Sequence, residues 1–137
     1  MNWSRPVEHF VTLFNSDYLA LGLTLYHSLV SNAQPFRLWV ICMDEAVEES
    51  LKTFAFPNLS LIPIKDVETK ELLEVKPTRS VGEYCWTITP FSSKAVFDRD
   101  MNIERVTYVD TDLFFFDDPL ILLNEVARSQ KHVQITT

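Results

Sequence analysis

What most limits the fold of this chain is a set of short, almost unbroken apolar runs, each followed by an amphipathic stretch. His9 to Phe14 and Phe36 to Met43, the latter reading FRLWVICM, are apolar at nearly every position, whereas a strand with one face in water alternates apolar and polar residues. A strand that is apolar on both sides must be covered on both sides, which is the condition of a parallel sheet lying between helices. The intervening segments supply those helices. Leu19, Leu23, Tyr26 and Val30 share one helical face behind Ser16 or Asp17, either of which can cap, and Val47, Leu51 and Phe54 do the same behind Asp44.

The pattern continues to the end of the chain. Leu59 to Ile64 reads as a third strand, and its internal Pro63 puts it near an edge or at its own end. A helical patch spans Val67 to Val75, while Lys76 to Thr89, with Pro77 and Gly82 and no clear period, reads as a loop of functional length. Pro90 opens a helix to about Phe97. Arg105 to Val109 is a fourth strand, Asp118 and Pro119 form a cap and first-turn pair for a helix over Leu120 to Arg128, and His132 to Thr136 reads as a fifth strand. The expected fold is α/β, a mostly parallel sheet flanked by helices, in one domain over residues 1–137.

Composition narrows the partners. Hydrophobic residues at 47% are enough for a real core, and a net charge of −7 excludes a surface built to neutralise nucleic acid or an anionic membrane. An acidic protein can still hold a phosphorylated small molecule when a divalent cation screens the charge. Cys42 and Cys85 stand among apolar residues with no partner at zinc-ligand spacing, which suits buried free thiols in a reducing compartment. No secretory leader and no transmembrane segment is legible, so a cytoplasmic protein is expected. Only Gly22 and Gly82 are present, and neither follows the first strand. The glycine-rich phosphate cradle of dinucleotide-binding and P-loop folds is therefore missing, which also disfavours a nucleotidyltransferase. A phosphatase with a DxD pair would carry it after the first strand.

The residues that can do chemistry lie in VTYVDTDLFFFDDP, Val106 to Pro119. Residues two apart in an extended segment point the same way, so Asp110 and Asp112 can face one ion at the carboxyl end of a strand, where ligands of open α/β sheets sit. Hard oxygen ligands suit Mg²⁺ or Mn²⁺. Spacing alone is weak: nine aspartates in this length give about 0.6 such pairs by chance, and a second pair exists at Asp98 and Asp100, where it reads as a solvated helix end. The bland alternative for Asp110 and Asp112 is a pair of turn carboxylates. Against it, Leu113 to Phe116 is an apolar run that brackets the pair with buried chain, and carboxylates at the rim of a core call for a cation.

In order along the chain, VTLFNSDYLALGLTLYHSL, LWVICM, PFSSKAVF and VTYVDTD resemble family 8 and glycogenin-like glycosyltransferases, over residues 9–137. The most specific element is the strand with its DxD and a lysine, Lys94, sixteen residues upstream. The resemblance implies a GT-A, Rossmann-like nucleotide-diphospho-sugar transferase of the hexosyltransferase type. It puts Phe14, Asn15, Ser16, Asp17 and Tyr18 around the nucleoside, Asp110 and Asp112 on the metal, and Lys94 on the diphosphate. Aromatic rings can stack on uracil and short polar side chains can read its edge. Asp17 equally suits a helix cap, Phe14 a core position and Lys94 a solvated helix face. Trp3, Trp39 and Trp86 read as core or loop anchors without chemistry.

The implied reaction moves a sugar from a nucleoside diphosphate donor, a UDP-sugar, to the hydroxyl of an unknown sugar, lipid or protein acceptor, with Mn²⁺ or Mg²⁺ as cofactor. Relatives of this kind are longer, and they draw a further metal ligand, often a histidine, and the acceptor site from a C-terminal half. His9, His27 and His132 do not fit that role. The expectation is a nucleotide-sugar-binding N-terminal half over residues 1–137, lacking the acceptor half and inactive in transfer by itself. The alternative is a non-catalytic α/β nucleotide-binding or interaction module.

Overall fold

In a computed structural model of the chain, which describes residues 5–129, four strands form one all-parallel sheet in the order β3-β2-β1-β4. They are β1 (Glu8–Phe14), β2 (Phe36–Cys42), β3 (Leu59–Pro63) and β4 (Val106–Tyr108). Phe10 sits beside Leu38 on one side and Thr107 on the other, and Leu38 beside Leu59. The two runs that are apolar throughout, β1 and β2, are the central strands and are buried at almost every position. β3 lies at an edge and ends on Pro63, whose missing N–H therefore breaks no ladder beyond it.

Six helices connect and cover the sheet: α1 (Leu19–Asn32), α2 (Glu45–Phe54), α3 (Lys70–Val75), α4 (Val81–Ile88), α5 (Ser92–Arg99) and α6 (Leu120–Ser129). Alternation along the strands sorts the core into two halves. Phe10 and Phe14, with Leu38 and Val40, pack against Leu25 and Leu29 of α1 and Val47 and Leu51 of α2. Val11 and Leu13, with Trp39 and Ile41, pack against Leu72 of α3, Tyr84 and Ile88 of α4 and Val96 of α5. The sheet is thus covered on both faces, as its doubly apolar strands require.

Several local expectations need correction. The stretch from Lys76 to Thr89 is no irregular loop: it contains α4, started by a capping box in which Ser80 Oγ accepts from Glu83 N and Glu83 Oε1 accepts from Ser80 N. The turn before α1 is capped by Asn15, whose Oδ1 accepts from Asp17 N at 3.0 Å, and not by Ser16 or Asp17. Leu113 to Phe116 does not bracket the aspartates with buried chain. Phe115 alone packs against the core, beside Phe10, while Phe116 is 87% exposed and Leu113 and Phe114 are exposed as well. The strand expected at His132 to Thr136 lies outside the described residues. Among the described residues no helix is long and apolar enough to cross a membrane.

Candidate functional site

The chain runs from β1 outward through β2 to β3 and then returns to place β4 on the other side of β1. That reversal makes the gap between the carboxyl ends of β1 and β4 a topological switch point, where helices leave in opposite directions and a crevice opens. An open cleft of 440 Å³ lies there. Leu13, Phe14 and Tyr108 come from the strand ends, Asn15 and Tyr18 from the segment leading into α1, Leu21 from the first turn of α1, and Gly82, Cys85, Trp86 and Thr89 from α4 and the residue after it. Asp110, Thr111 and Asp112 complete the lining. Because α1 and α4 cover opposite faces of the sheet, they form opposing walls.

The Asp-Thr-Asp segment is held by its middle residue. Thr111 Oγ1 donates to the Leu13 carbonyl at 2.9 Å and lies 3.2 Å from the hydroxyl of Thr12, a fully buried residue of β1. The segment is a turn, with Leu113 N donating to the Asp110 carbonyl at 3.1 Å, where an extended stretch was expected, and both aspartates still border the cleft and are exposed. Among the described residues neither is in an ion pair. Two carboxylates that line one cleft outside any ion pair are oxygen donors of the kind a hard divalent ion takes, although no group of three or more candidate ligands occurs among the described residues.

The other expected residues fall in different places. Phe14, Asn15 and Tyr18 line the cleft. Phe14 is nevertheless a core residue, 3% exposed. Ser16 turns to α2, where its backbone N–H and Oγ donate to Asp44 Oδ2 at 3.1 and 2.9 Å, and Asp17 is exposed beside Asn15. Burial works to raise the Asp44 pKa, but the donors from Val47 and Ser16 outweigh it and hold the carboxyl below its ordinary value. Lys94 does not border the cleft; its Nζ donates to Asp98 across one turn of α5 at 2.7 Å, with both groups exposed.

Residues the sequence reading passed over form the second wall. Gly82, Cys85, Trp86 and Thr89 follow the spacing of one helical face, and the pattern of Ser80 followed three residues later by Glu83 was the available signal for that helix. Trp86 is 76% exposed. Tyr108 is pushed up to about 12 by burial, with the Thr89 hydrogen bond pulling the other way and the Asp110 charge adding to the rise. Burial also raises the pKa of the Cys85 thiol.

No protein-family model matches the chain. Two curated proteins of Bacillus subtilis (strain 168) are similar to it: "Uncharacterized protein YfnF", 36% identical over 110 residues, and "Uncharacterized protein YfnD", 32% identical over 117 residues. These matches take in 80% and 85% of this chain but 36% and 38% of the relatives, so the chain spans less than two fifths of their length. Among solved structures, the apo structure of the bifunctional glycosyltransferase WbbM is similar with a TM-score of 0.54 and 20% identity, over 90% of this chain and 22% of that one. At that identity the likeness is one of architecture: this chain shares its parallel α/β fold with part of a glycosyltransferase.

Proposed function

We propose that the chain is the donor-binding part of a metal-dependent glycosyltransferase related to family 8 and glycogenin-like enzymes, taking a UDP-sugar. The observation that carries this reading is the cleft itself, in which two carboxylates outside any ion pair among the described residues and the segment after β1 meet at the switch point of a fold shared with a glycosyltransferase. Asn15 and Tyr18 hold the nucleoside, and Asp110 and Asp112 hold Mn²⁺ or Mg²⁺. When bound, the ion supplies Lewis acidity to the leaving diphosphate. Thr111 keeps the aspartates in register with β1, and the Tyr108 hydroxyl, hydrogen-bonded with Asp110, helps to orient that carboxylate. Lys94, which the family resemblance assigns to the diphosphate, lies outside the cleft lining and would have to leave Asp98 to reach a phosphate.

The relatives' greater length supports the view that acceptor binding belongs to other parts of such proteins. The two free thiols, with Cys42 buried and pushed up to about 12, suit a cytoplasmic setting. Calorimetry of UDP with and without Mn²⁺ tests the reading. We expect weak, Mn²⁺-dependent binding, because two carboxylates leave most of an octahedral ion's positions to water or phosphate. The double variant Asp110→Asn, Asp112→Asn should lose about ten- to a hundredfold or more in affinity. Equal affinity for parent and variant refutes the metal site. Sugar transfer by the 137-residue chain refutes its being only the donor-binding part, since acceptor positioning is needed for rate.

A further inference from the structure

Trp86 is the least economical side chain of the second wall. An indole carries one of the largest apolar surfaces of any residue, yet here 76% of it faces solvent. It does so inside a concave site, not on a convex surface where single exposed hydrophobics are unremarkable. Across the cleft, on the wall that covers the other face of the sheet, Tyr18 is 53% exposed. Two aromatic rings are thus left wet on opposite sides of one crevice.

Gly82 adds an independent observation. It lies one turn before Trp86 in α4, in a helical conformation where alanine is favoured over glycine. No steric need explains it, because a Cβ there would meet nothing within 4 Å. Helical side chains lean toward the N-terminus, so the surface over the Gly82 turn is the surface the Trp86 ring approaches. The missing side chain leaves that part of the cleft open beside the indole.

We propose that Trp86 and Tyr18 clamp the nucleobase of the donor, with Gly82 keeping space for the base over the indole. The proposal rests on the glycosyltransferase reading and adds a second base-binding wall to it. A base has two flat faces and a polar edge, so two opposed rings can each cover one face. Asn15, next to the Tyr18 wall, supplies an amide for the edge. Stacking serves every base, so the clamp gives affinity for nucleosides in general and leaves the choice among bases to edge contacts.

The test titrates the chain, with Mn²⁺ present, against UDP and against pyrophosphate, which has the phosphates and no base. Indole fluorescence and calorimetry both report. Trp86→Ala should weaken UDP roughly ten- to a hundredfold and leave pyrophosphate unchanged. Trp86→Phe should recover most of the loss, and UDP but not pyrophosphate should quench the parent's fluorescence in a way Trp86→Ala abolishes. Gly82→Leu should weaken UDP while the Tm stays level or rises, since its Cβ meets no atom of the fold. UDP affinity within twofold of the parent for Trp86→Ala overturns the clamp, as does an equal loss of UDP and pyrophosphate. If the parent binds none of UDP, CDP, GDP and ADP, the glycosyltransferase reading falls and the clamp with it. If the aspartate double variant loses UDP and Trp86→Ala does not, the clamp alone is wrong.

Discussion

A Cβ built on Gly22 would stand 2.3 Å from Cζ of Phe14 and under 3 Å from two further ring atoms. The ring is locked in the core, 3% exposed, and also borders the cleft, so it has nowhere to retreat without moving cleft lining. Gly22 is therefore the residue that lets α1 lie against the end of β1. Helix propensity favours alanine by about 1 kcal/mol, but overpacking against a fixed ring costs about 1–3 kcal/mol. Gly22→Ala should lower stability by up to about 2 kcal/mol in urea unfolding. A variant as stable as the parent would mean that the ring yields.

At the scale of elements, α4 has the most influence on the cleft for its size. It has eight residues, too few to hold a helix in isolation, so it depends on its cap and on Tyr84 and Ile88 in the core. The Tyr84 hydroxyl donates to Glu68 at 2.6 Å, and Lys76 pairs with the same carboxylate at 2.9 Å, which fixes the approach to the helix. Ser80→Ala removes one reciprocal half of the capping box and should cost about 0.5–2 kcal/mol, localised to this helix. Amide hydrogen exchange checks it. Protection should fall from Tyr84 to Ile88 while the β1 and β2 amides keep theirs, and a uniform loss across the sheet would show that α4 does not open separately.

Stability against acid belongs to the whole molecule. Asp44 joins the segment after β1 to α2, and Asp118 joins Arg5 to the start of α6. The Arg5 guanidinium holds Asp118 below its ordinary pKa despite partial burial, and the donors from Val47 and Ser16 do the same for Asp44. A carboxyl whose folded pKa is depressed stabilises the fold at pH values above its unfolded pKa. That contribution fades as pH falls through the folded value, between about pH 5 and pH 2. The double variant Asp44→Asn, Asp118→Asn should be less stable than the parent at pH 7, with the difference shrinking at pH 3 in urea titrations. A difference that is independent of pH would remove both carboxyls from the acid transition.

Sequence and tertiary structure divided the outcome by the range over which each acts. The strand positions and most helix positions, though not α4, the burial of β1 and β2 on both faces, and hence a parallel α/β sheet were legible because apolar periodicity is a local property of the chain. So were the Asp44 cap and the aspartate pair after the fourth strand. The exposure of Leu113, Phe114 and Phe116 was not, since a run of apolar residues does not say which neighbours will cover it. Nor was the turning of Ser16 to Asp44, or of Lys94 to Asp98, since local sequence offers several partners and packing selects one. The cleft was the largest omission. Thr111 meets Leu13, and Trp86 comes to face the Tyr18 wall, only because the chain returns across the sheet to set β4 beside β1. That strand order brings together residues far apart in sequence, which a local pattern does not encode.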